Sequence, residues 1–392
     1  MSSPLLELAR LFGVLGTVAF GGPAAHIALI QKEVVERRPW LTAAEFLDIM
    51  GAVNLIPGPN STEIVLLVGL RRAGWAGLLV AGTAFILPAA LITTFFAWVY
   101  REWGTLPQLA PVLAGMQPVV VVLIAHAGWR LGKKAVKSAW LLAVGLVTAG
   151  LSVLGVGELP ALLIGGLLGI LGRRRSAGVL AWWPPLPLMT TAPPAPAPGL
   201  WSLALFFLKV GAVLFGGGYL LIAFIERDLV ERYGWLTQQQ LLDAIAVGQF
   251  TPGPVLSTAS FVGFLIADWP GALVATVAIF LPSFGFVALL NPLISWLRRN
   301  TWTGAFLDGL NVAAVALIGV VAVRLGWRLG TAALGTSWGY GLRMMGIALV
   351  AAVLMGWQKV PAPWLVGLGA VVAGAVSYRV GMIPELQGQI QG

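Results

Sequence analysis

Two tripeptides carry most of the chemistry open to this chain. Pro57-Gly58-Pro59 and Pro252-Gly253-Pro254 each interrupt an apolar run. Asn60-Ser61-Thr62 follows the first and Ser257-Thr258 follows the second, while Asn54 and Gln249 stand at one place ahead of each. Proline cannot donate to a helix ladder, so each tripeptide ends one helix and starts another. The new helix opens with unpaired N–H groups and the positive end of its dipole, which favours an anion. A packing kink with the hydroxyls bonded back to the helix is the competing reading. Paired glycines, Gly21-Gly22 and Gly216-Gly217, form a second set. They permit a backbone break or a close approach to a ligand, and they equally suit small-residue packing between membrane helices. These residues are the candidate binding set.

Ionisable residues in apolar surroundings are the next candidates. Glu63 follows the first tripeptide directly. A carboxyl at that depth must be paired or protonated, so Glu63 is the candidate for proton coupling. His26, one turn past the first glycine pair, can titrate near neutrality and joins it. Lys209, inside Leu205-Phe206-Phe207-Leu208-Lys209, reads as a lone ammonium that attracts an anion or snorkels to the interface. Two repeated charged segments contain Lys32, Glu33 and Arg37, and Arg227, Asp228 and Arg232. Their spacing suits ion pairs on an amphipathic interfacial helix, with the cations steering anions inward. With no Cys and only His26 and His126, no metal site is expected, and no cofactor. No paired catalytic groups and no nucleotide loop are seen, so an enzyme is not expected.

A membrane must position these residues. Of 392 residues, 58% are hydrophobic and 10% charged, against roughly 25% charged in a soluble domain. The net charge of +9 fits cytoplasmic loops rich in Lys and Arg rather than nucleic-acid binding. Apolar segments cover 5–30, 46–70, 76–100, 109–129 and the short pair 139–155 and 159–172. Thr42 with Glu45 predicts a capped helix start beside the interface anchor Trp40, and a basic loop is expected at Arg130, Lys133, Lys134 and Lys137. The N-terminus does not read as a cleaved signal. The second half gives 202–225, 241–266, 271–294, 305–327, 343–357 and 362–379, with a polar tail from Pro384. The expected division is a repeat over 1–175, a Trp- and Pro-rich linker over 176–200 and a second repeat over 201–392.

The stretch Phe20–Pro59 returns at a constant offset of 195, Gly216 standing for Gly21, with 17 of 40 pairs identical. A one-residue slip then matches Gly77 with Gly271, Pro88 with Pro282 and Gln117 with Asn311. This is an internal duplication. The Lys and Arg bias places the N-terminus in the cytoplasm and is lost or reversed in the second half, as inverted repeats require. Inversion needs an odd number of crossings per half, against six segments, so the linker supplies one or a broken segment is re-entrant. The fold class is an all-α polytopic membrane protein of two six-segment halves, inverted, with helices broken at Gly-Gly and Pro-Gly-Pro.

The Phe-Gly-Gly box, the charged segment ending in Trp40-Leu41-Thr42 or Trp235-Leu236-Thr237, and the Asn/Gln-x-x-Pro-Gly-Pro box all occur twice. Together they resemble the chromate ion transporter family, over essentially the whole chain. The resemblance implies a multi-pass inner-membrane exporter of chromate that confers chromate resistance, driven by a proton gradient or the membrane potential. It implies sulfate, an isosteric dianion, as competitor or alternative substrate; an anion channel is the further alternative. Half-length members working in oppositely oriented pairs fit inversion. The expected partners are chromate, sulfate, membrane lipid and a second copy of the chain, with no nucleic acid. Gly218 stands where the first copy has Pro23, and Thr258 where it has Glu63, so the two copies are not equivalent.

Overall fold

The computed structural model describes residues 3–20, 22–104, 106, 109–172, 197–215, 218–290, 301–357 and 360–380, and among these there is no strand. Helix α1 (Pro4–Val18) starts on Ser3, whose side chain accepts from the Leu6 N–H, with Pro4 where a missing N–H costs nothing. Helix α2 (Gly22–Gln31) runs on into a π-helical turn, Lys32–Arg37. Helix α3 (Ala43–Val53) carries the expected capping box: Glu45 N–H donates to Thr42 Oγ1 at 3.2 Å, and Thr42 N–H to Glu45 Oε2 at 2.8 Å.

Beyond the first Pro-Gly-Pro, α4 (Asn60–Trp103) is two arms folded back at Ala73 (φ −146°, ψ 28°) and Gly74 (φ 60°, ψ −150°). The arms touch backbone to backbone, since a Cβ on Gly69 or on Gly77 would meet the other's carbonyl oxygen. Then come α5 (Ala110–Ala135), α6 (Ala139–Val153) and α7 (Glu158–Leu171).

The second half repeats this element for element. It comprises α8 (Leu200–Val213), α9 (Leu220–Phe224) with a π-helical turn Ile225–Arg232, and α10 (Gln238–Phe250) with a capping box on Thr237 and Gln240. After the second Pro-Gly-Pro a short turn, Val255–Ser257, leads into α11 (Thr258–Leu290). It folds back at Ala267 (φ −145°, ψ 32°) and Asp268 (φ 59°, ψ −155°), the same corner to within a few degrees. The series ends with α12 (Thr301–Thr336), α13 (Trp338–Trp357) and α14 (Ala362–Val380).

Five helices among the described residues are long and apolar enough to cross a membrane: α4, α5, α11 with its leading turn, α12 and α13. Leu87, Leu91 and Phe95, four residues apart along α4, are all exposed. An apolar stripe facing outward is what lipid requires. This is a polytopic all-α membrane protein of two repeated halves.

The halves are interlaced rather than side by side. The arms of α4 and α11 pack together at the centre, while α5 packs on α14 and α7 on α12. Glycines set the last two contacts. A Cβ on Gly115 would meet the Gly369 carbonyl oxygen, and one on Gly309 the Gly165 carbonyl oxygen. Without a hydrophobic drive between helices in lipid, such close approach supplies dispersion contact.

The structure corrects two expectations. The basic loop is helical as far as Ala135, so Arg130, Lys133 and Lys134 form the last turns of α5. The charged segments are π-helical rather than α-helical, and the second buries part of its charge: Glu226 and Asp228 are buried with Leu229. The linker core at 176–196 and the tail from Pro384 lie outside the described residues.

Candidate functional site

Each Pro-Gly-Pro box meets the opposite half of the molecule. The Gly58 N–H donates to the Leu214 carbonyl at 2.7 Å, and the Gly253 N–H to the Ala19 carbonyl at 2.9 Å. Ala19 and Leu214 immediately precede the two Phe-Gly-Gly boxes. Each tripeptide is therefore tied to the residue just ahead of the other half's Phe-Gly-Gly box, reciprocally. Both linking glycines have positive φ, 140° at Gly58 and 89° at Gly253, where an L side chain is strained. There is no room for one either. A Cβ on Gly58 would fall on Glu63 Oε1 and Ser283 Oγ, and one on Gly253 on the Ala89 methyl and the Gly16 carbonyl oxygen. Ser283 and Ala89 are the same position in the repeat, one after Pro282 and Pro88.

The two crossings differ in chemistry. At the first, Glu63 is 0% exposed, and neither of its carboxyl oxygens has a hydrogen-bond partner. Thr62 Oγ1 and Ser283 Oγ are also buried without partners. A carboxyl in such a place is stable only with a proton or a cation on it. At the second crossing Thr258 takes the place of Glu63 and turns its hydroxyl back onto the Val255 carbonyl at 2.8 Å. Here the polar groups are hydroxyls from both halves. Thr93 Oγ1 lies 3.2 Å from Ser257 Oγ and 3.4 Å from Thr251 Oγ1, and all three residues are buried. His26 stands beside this crossing. Its Nε2 is 3.0 Å from the Ala19 carbonyl that also accepts from Gly253, its ring meets Phe85 edge-on, and its Nδ1 has no partner. A carbonyl only accepts, so Nε2 carries the proton and Nδ1 is the free position.

Of the other candidates, Asn60 and Asn54 are joined by a 3.1 Å amide hydrogen bond, and Ser61 is buried on the first turn of α4. Gln249 is buried and bonded to Tyr219. Gly22 is the first residue of α2, whereas Gly21, Gly216 and Gly217 lie outside the described residues. Lys209 is not a lone ammonium. Its Nζ is 2.5 Å from Asp228 and lies over the Phe206 and Phe224 rings.

The charged segments diverge. Glu33 pairs with Arg37 at 2.7 Å and with Arg38. Burial pushes the Glu33 carboxyl up, but the hydrogen bonds and charges of Arg38 and Arg37 outweigh it and hold it below the usual carboxylate range. Lys32 is exposed. Arg227, by contrast, donates to the Val156 carbonyl at 2.6 Å and to Gly155, with Glu158 at 3.5 Å, so it clamps the corner between α6 and α7. Arg232 stacks on Tyr233.

Four residues of this geometry were not singled out from sequence: Thr93, Thr251, Ser283 and Asp243. Asp243 is 0% exposed and accepts from the Tyr100 hydroxyl at 2.9 Å and from Gln117 Nε2 at 3.2 Å, both from the first half. A signal existed for it, because Leu47-Asp48 returns as Leu242-Asp243 in the duplication.

The chromate transporter family model matches residues 6–171 and 201–375, one match per half. A "Probable chromate transport protein" of Synechococcus elongatus is 32% identical over 379 residues, covering 91% of this chain and 96% of that protein. The "Chromate transport protein" of Cupriavidus metallidurans is 31% identical over 400 residues, 95% of this chain and 93% of its own. That of Pseudomonas aeruginosa is 32% identical over 346 residues, 83% and 81% respectively. No solved structure matches. The family match in both halves, with relatives 31–32% identical over most of their length, places this polytopic membrane protein in the chromate transporter family.

Proposed function

We propose that this chain exports chromate across the cytoplasmic membrane, driven by the proton gradient or the membrane potential, and so confers chromate resistance. The observation that carries the reading is the reciprocal crossing of the two boxes. It sets two helix starts and the polar groups around them against one another at the join of the halves. Interrupted helices at corresponding positions of two halves are the arrangement in which transporters bind their ions. Inverted halves would aim both helix starts at one midplane. The repeats are taken as 1–175 and 201–392, joined by the linker at 176–200.

Roles divide along the chemistry. The helix starts at Asn60 and Thr258, with the hydroxyls of Ser257, Thr251 and Thr93, offer donors to a tetrahedral dianion. Glu63 takes the coupling proton, with His26 near the opposite crossing as the second titrating group. Arg37 and Lys32 lie outside and draw anions toward the entrance. Sulfate has the same shape and charge, so it competes.

The test is flux in proteoliposomes under imposed pH gradients and potentials. Saturable chromate flux, inhibited by sulfate, is expected. Saturable sulfate flux with none for chromate would end the export reading. Glu63→Gln keeps the shape and removes the titration, so it abolishes pH-gradient coupling and leaves exchange intact. Coupling that survives this change removes Glu63 from its role.

A further inference from the structure

Five carboxyl side chains are buried among the described residues: Glu63, Glu158, Glu226, Asp228 and Asp243. Three of them face a cation. Asp228 lies 2.5 Å from Lys209, Glu158 3.5 Å from Arg227, and Glu226 3.6 Å from Arg324 and 3.8 Å from Arg328. No charged side chain among the described residues acts on Glu63 or on Asp243. A buried carboxylate without a cation is neutralised by a proton. Glu63 already has that role in the proposed mechanism, and Asp243 has none.

Asp243 sits in a cradle that suits both of its states. The Tyr100 hydroxyl of α4 donates to Oδ2 at 2.9 Å, and Gln117 Nε2 of α5 donates to Oδ1 at 3.2 Å. These are the polar groups that face it. Two donors favour the carboxylate, but both are neutral, so its charge remains until a proton arrives. Protonated on Oδ2, the acid donates to the Tyr100 oxygen, which accepts as readily as it donates, and Gln117 keeps Oδ1. Glu63, by contrast, has no hydrogen-bond partner for either oxygen.

The same two helices lead from this carboxyl to the hydroxyl crossing. α4 and α10 are bonded side chain to side chain at both places, Thr93 with Thr251 at 3.4 Å and Tyr100 with Asp243 at 2.9 Å. The two contacts are about two turns apart on either helix, roughly 10–12 Å. Tyr100 lies one turn short of Trp103, where α4 ends. The second arm of α4 is long enough to cross a membrane, so its end lies at a membrane face. Asp243 therefore stands between that face and the crossing. Asp48, its equivalent in the first copy, is exposed.

We propose that Asp243 is a further proton-binding site whose charge controls the anion's affinity for the hydroxyl crossing. As a carboxylate it repels the dianion; as an acid it admits it. The control rests on the reading of that crossing as the anion's place. A dianion there is about 10 Å from the carboxyl, close enough in a low-dielectric interior for each charge to act on the other. Linkage makes the effect reciprocal, so the bound anion also favours the protonated acid. The proton comes from hydronium at the membrane face, which is left as water, and one O–H bond forms at Oδ2.

The test uses the full chain in two measurements. The first is an infrared titration without substrate. A protonated-carboxyl band that fades as pH rises is expected, absent in Asp243→Asn and kept in Glu63→Gln. Asparagine copies the acid, keeping Oδ1 for Gln117 and offering Nδ2 to the Tyr100 oxygen. Tyr100→Phe removes one donor to the anion, so the band should persist to a pH about one unit higher. The second measurement is sulfate binding, since sulfate keeps its charge over this range. Affinity should fall about tenfold as Asp243 ionises, and in Asp243→Asn it should stay at its low-pH value throughout. A chain in which no such band appears at any pH where it stays folded holds Asp243 as a permanent carboxylate, and the proposal is overturned. A band that titrates while sulfate affinity stays constant overturns the control. If the unaltered chain bound neither sulfate nor chromate at any pH, the reading of the crossing would fall and take the control with it, while the band would remain and tell the two failures apart.

Discussion

The crossings around Gly58 and Gly253 share a backbone and differ in almost every side chain that faces it. Each glycine donates to a carbonyl of the other half, at 2.7 Å and 2.9 Å. Around Gly58 stand a carboxyl, Glu63, and the hydroxyl of Ser283, both without partners. Around Gly253 stand the Ala89 methyl and the Gly16 carbonyl, and nearby the joined hydroxyls of Thr93, Thr251 and Ser257. Duplication has kept the joint and changed what it holds. One crossing carries a group that can accept and release a proton; the other carries hydroxyls that can donate to an anion. On the proposed reading these are separate places for the coupling ion and the cargo, so each can be altered alone, and three experiments can break or sharpen that division.

The largest effect is expected from methyl groups at the joint. Gly253→Ala puts a Cβ onto backbone and onto Ala89, neither of which can turn away, at a φ of 89°. Strain of ~1–3 kcal/mol adds to overpacking of about 1–3 kcal/mol. Transport should be lost and the thermal midpoint should fall. Gly58→Ala suffers comparable backbone strain, but its clash falls on the Glu63 carboxyl and the Ser283 hydroxyl, which can rotate. Adding Glu63→Ala should restore part of its stability, and no side-chain change of that kind should rescue Gly253→Ala. Equal damage at both sites, with no rescue, would mean the joint alone matters and the side-chain contrast is incidental.

A smaller effect is expected from Thr93→Val, which keeps the shape and removes one hydroxyl from the trio. A lost hydrogen bond of about 1 kcal/mol corresponds to roughly a fivefold change. The expected outcome is a rise of that size in KM for chromate, with the pH dependence of coupling unmoved. Glu63→Gln should give the complementary result, coupling lost and KM kept. A Thr93→Val protein with normal KM would take the hydroxyl crossing out of the anion's path.

Much of this was legible because it is local. Pro-Gly-Pro interrupts the hydrogen-bond ladder of an apolar run, and Thr42 with Glu45 has the spacing of a cap, so the sequence predicts both. The contacts that give the crossings their character are not local. Thr93 meets residues 158 and 164 positions away, and Asp243 meets Gln117 across 126. No periodicity reports which helix lies opposite. Lys209 is isolated along the chain for the same reason: its partner Asp228 reaches it from beyond the intervening break. The π-helical turns were hidden for another reason: Glu33 and Arg37 satisfy α-helical pairing just as well.

The smallest expected effect tests how far the repeat constrains the backbone itself. The corners at Gly74 (φ 60°, ψ −150°) and Asp268 (φ 59°, ψ −155°) share one conformation, which belongs almost wholly to glycine. In the second half an aspartate holds it. Its carboxylate lies 2.9 Å from Arg101 and takes the Trp269 N–H at 2.9 Å. The ion pair is open to solvent and screened, against strain of ~1–3 kcal/mol. Asp268→Gly therefore exchanges strain for lost contacts and should leave the thermal midpoint unchanged or raise it slightly. Gly74→Ala has open space around its Cβ, so strain alone should cost it about 1–3 kcal/mol of stability and lower its midpoint. If Asp268→Gly falls as far as Gly74→Ala, the Arg101 contact is what holds that corner. The first half's Arg101 would then be pinning a turn of the second, and the corners would join the crossings as places where the halves depend on each other.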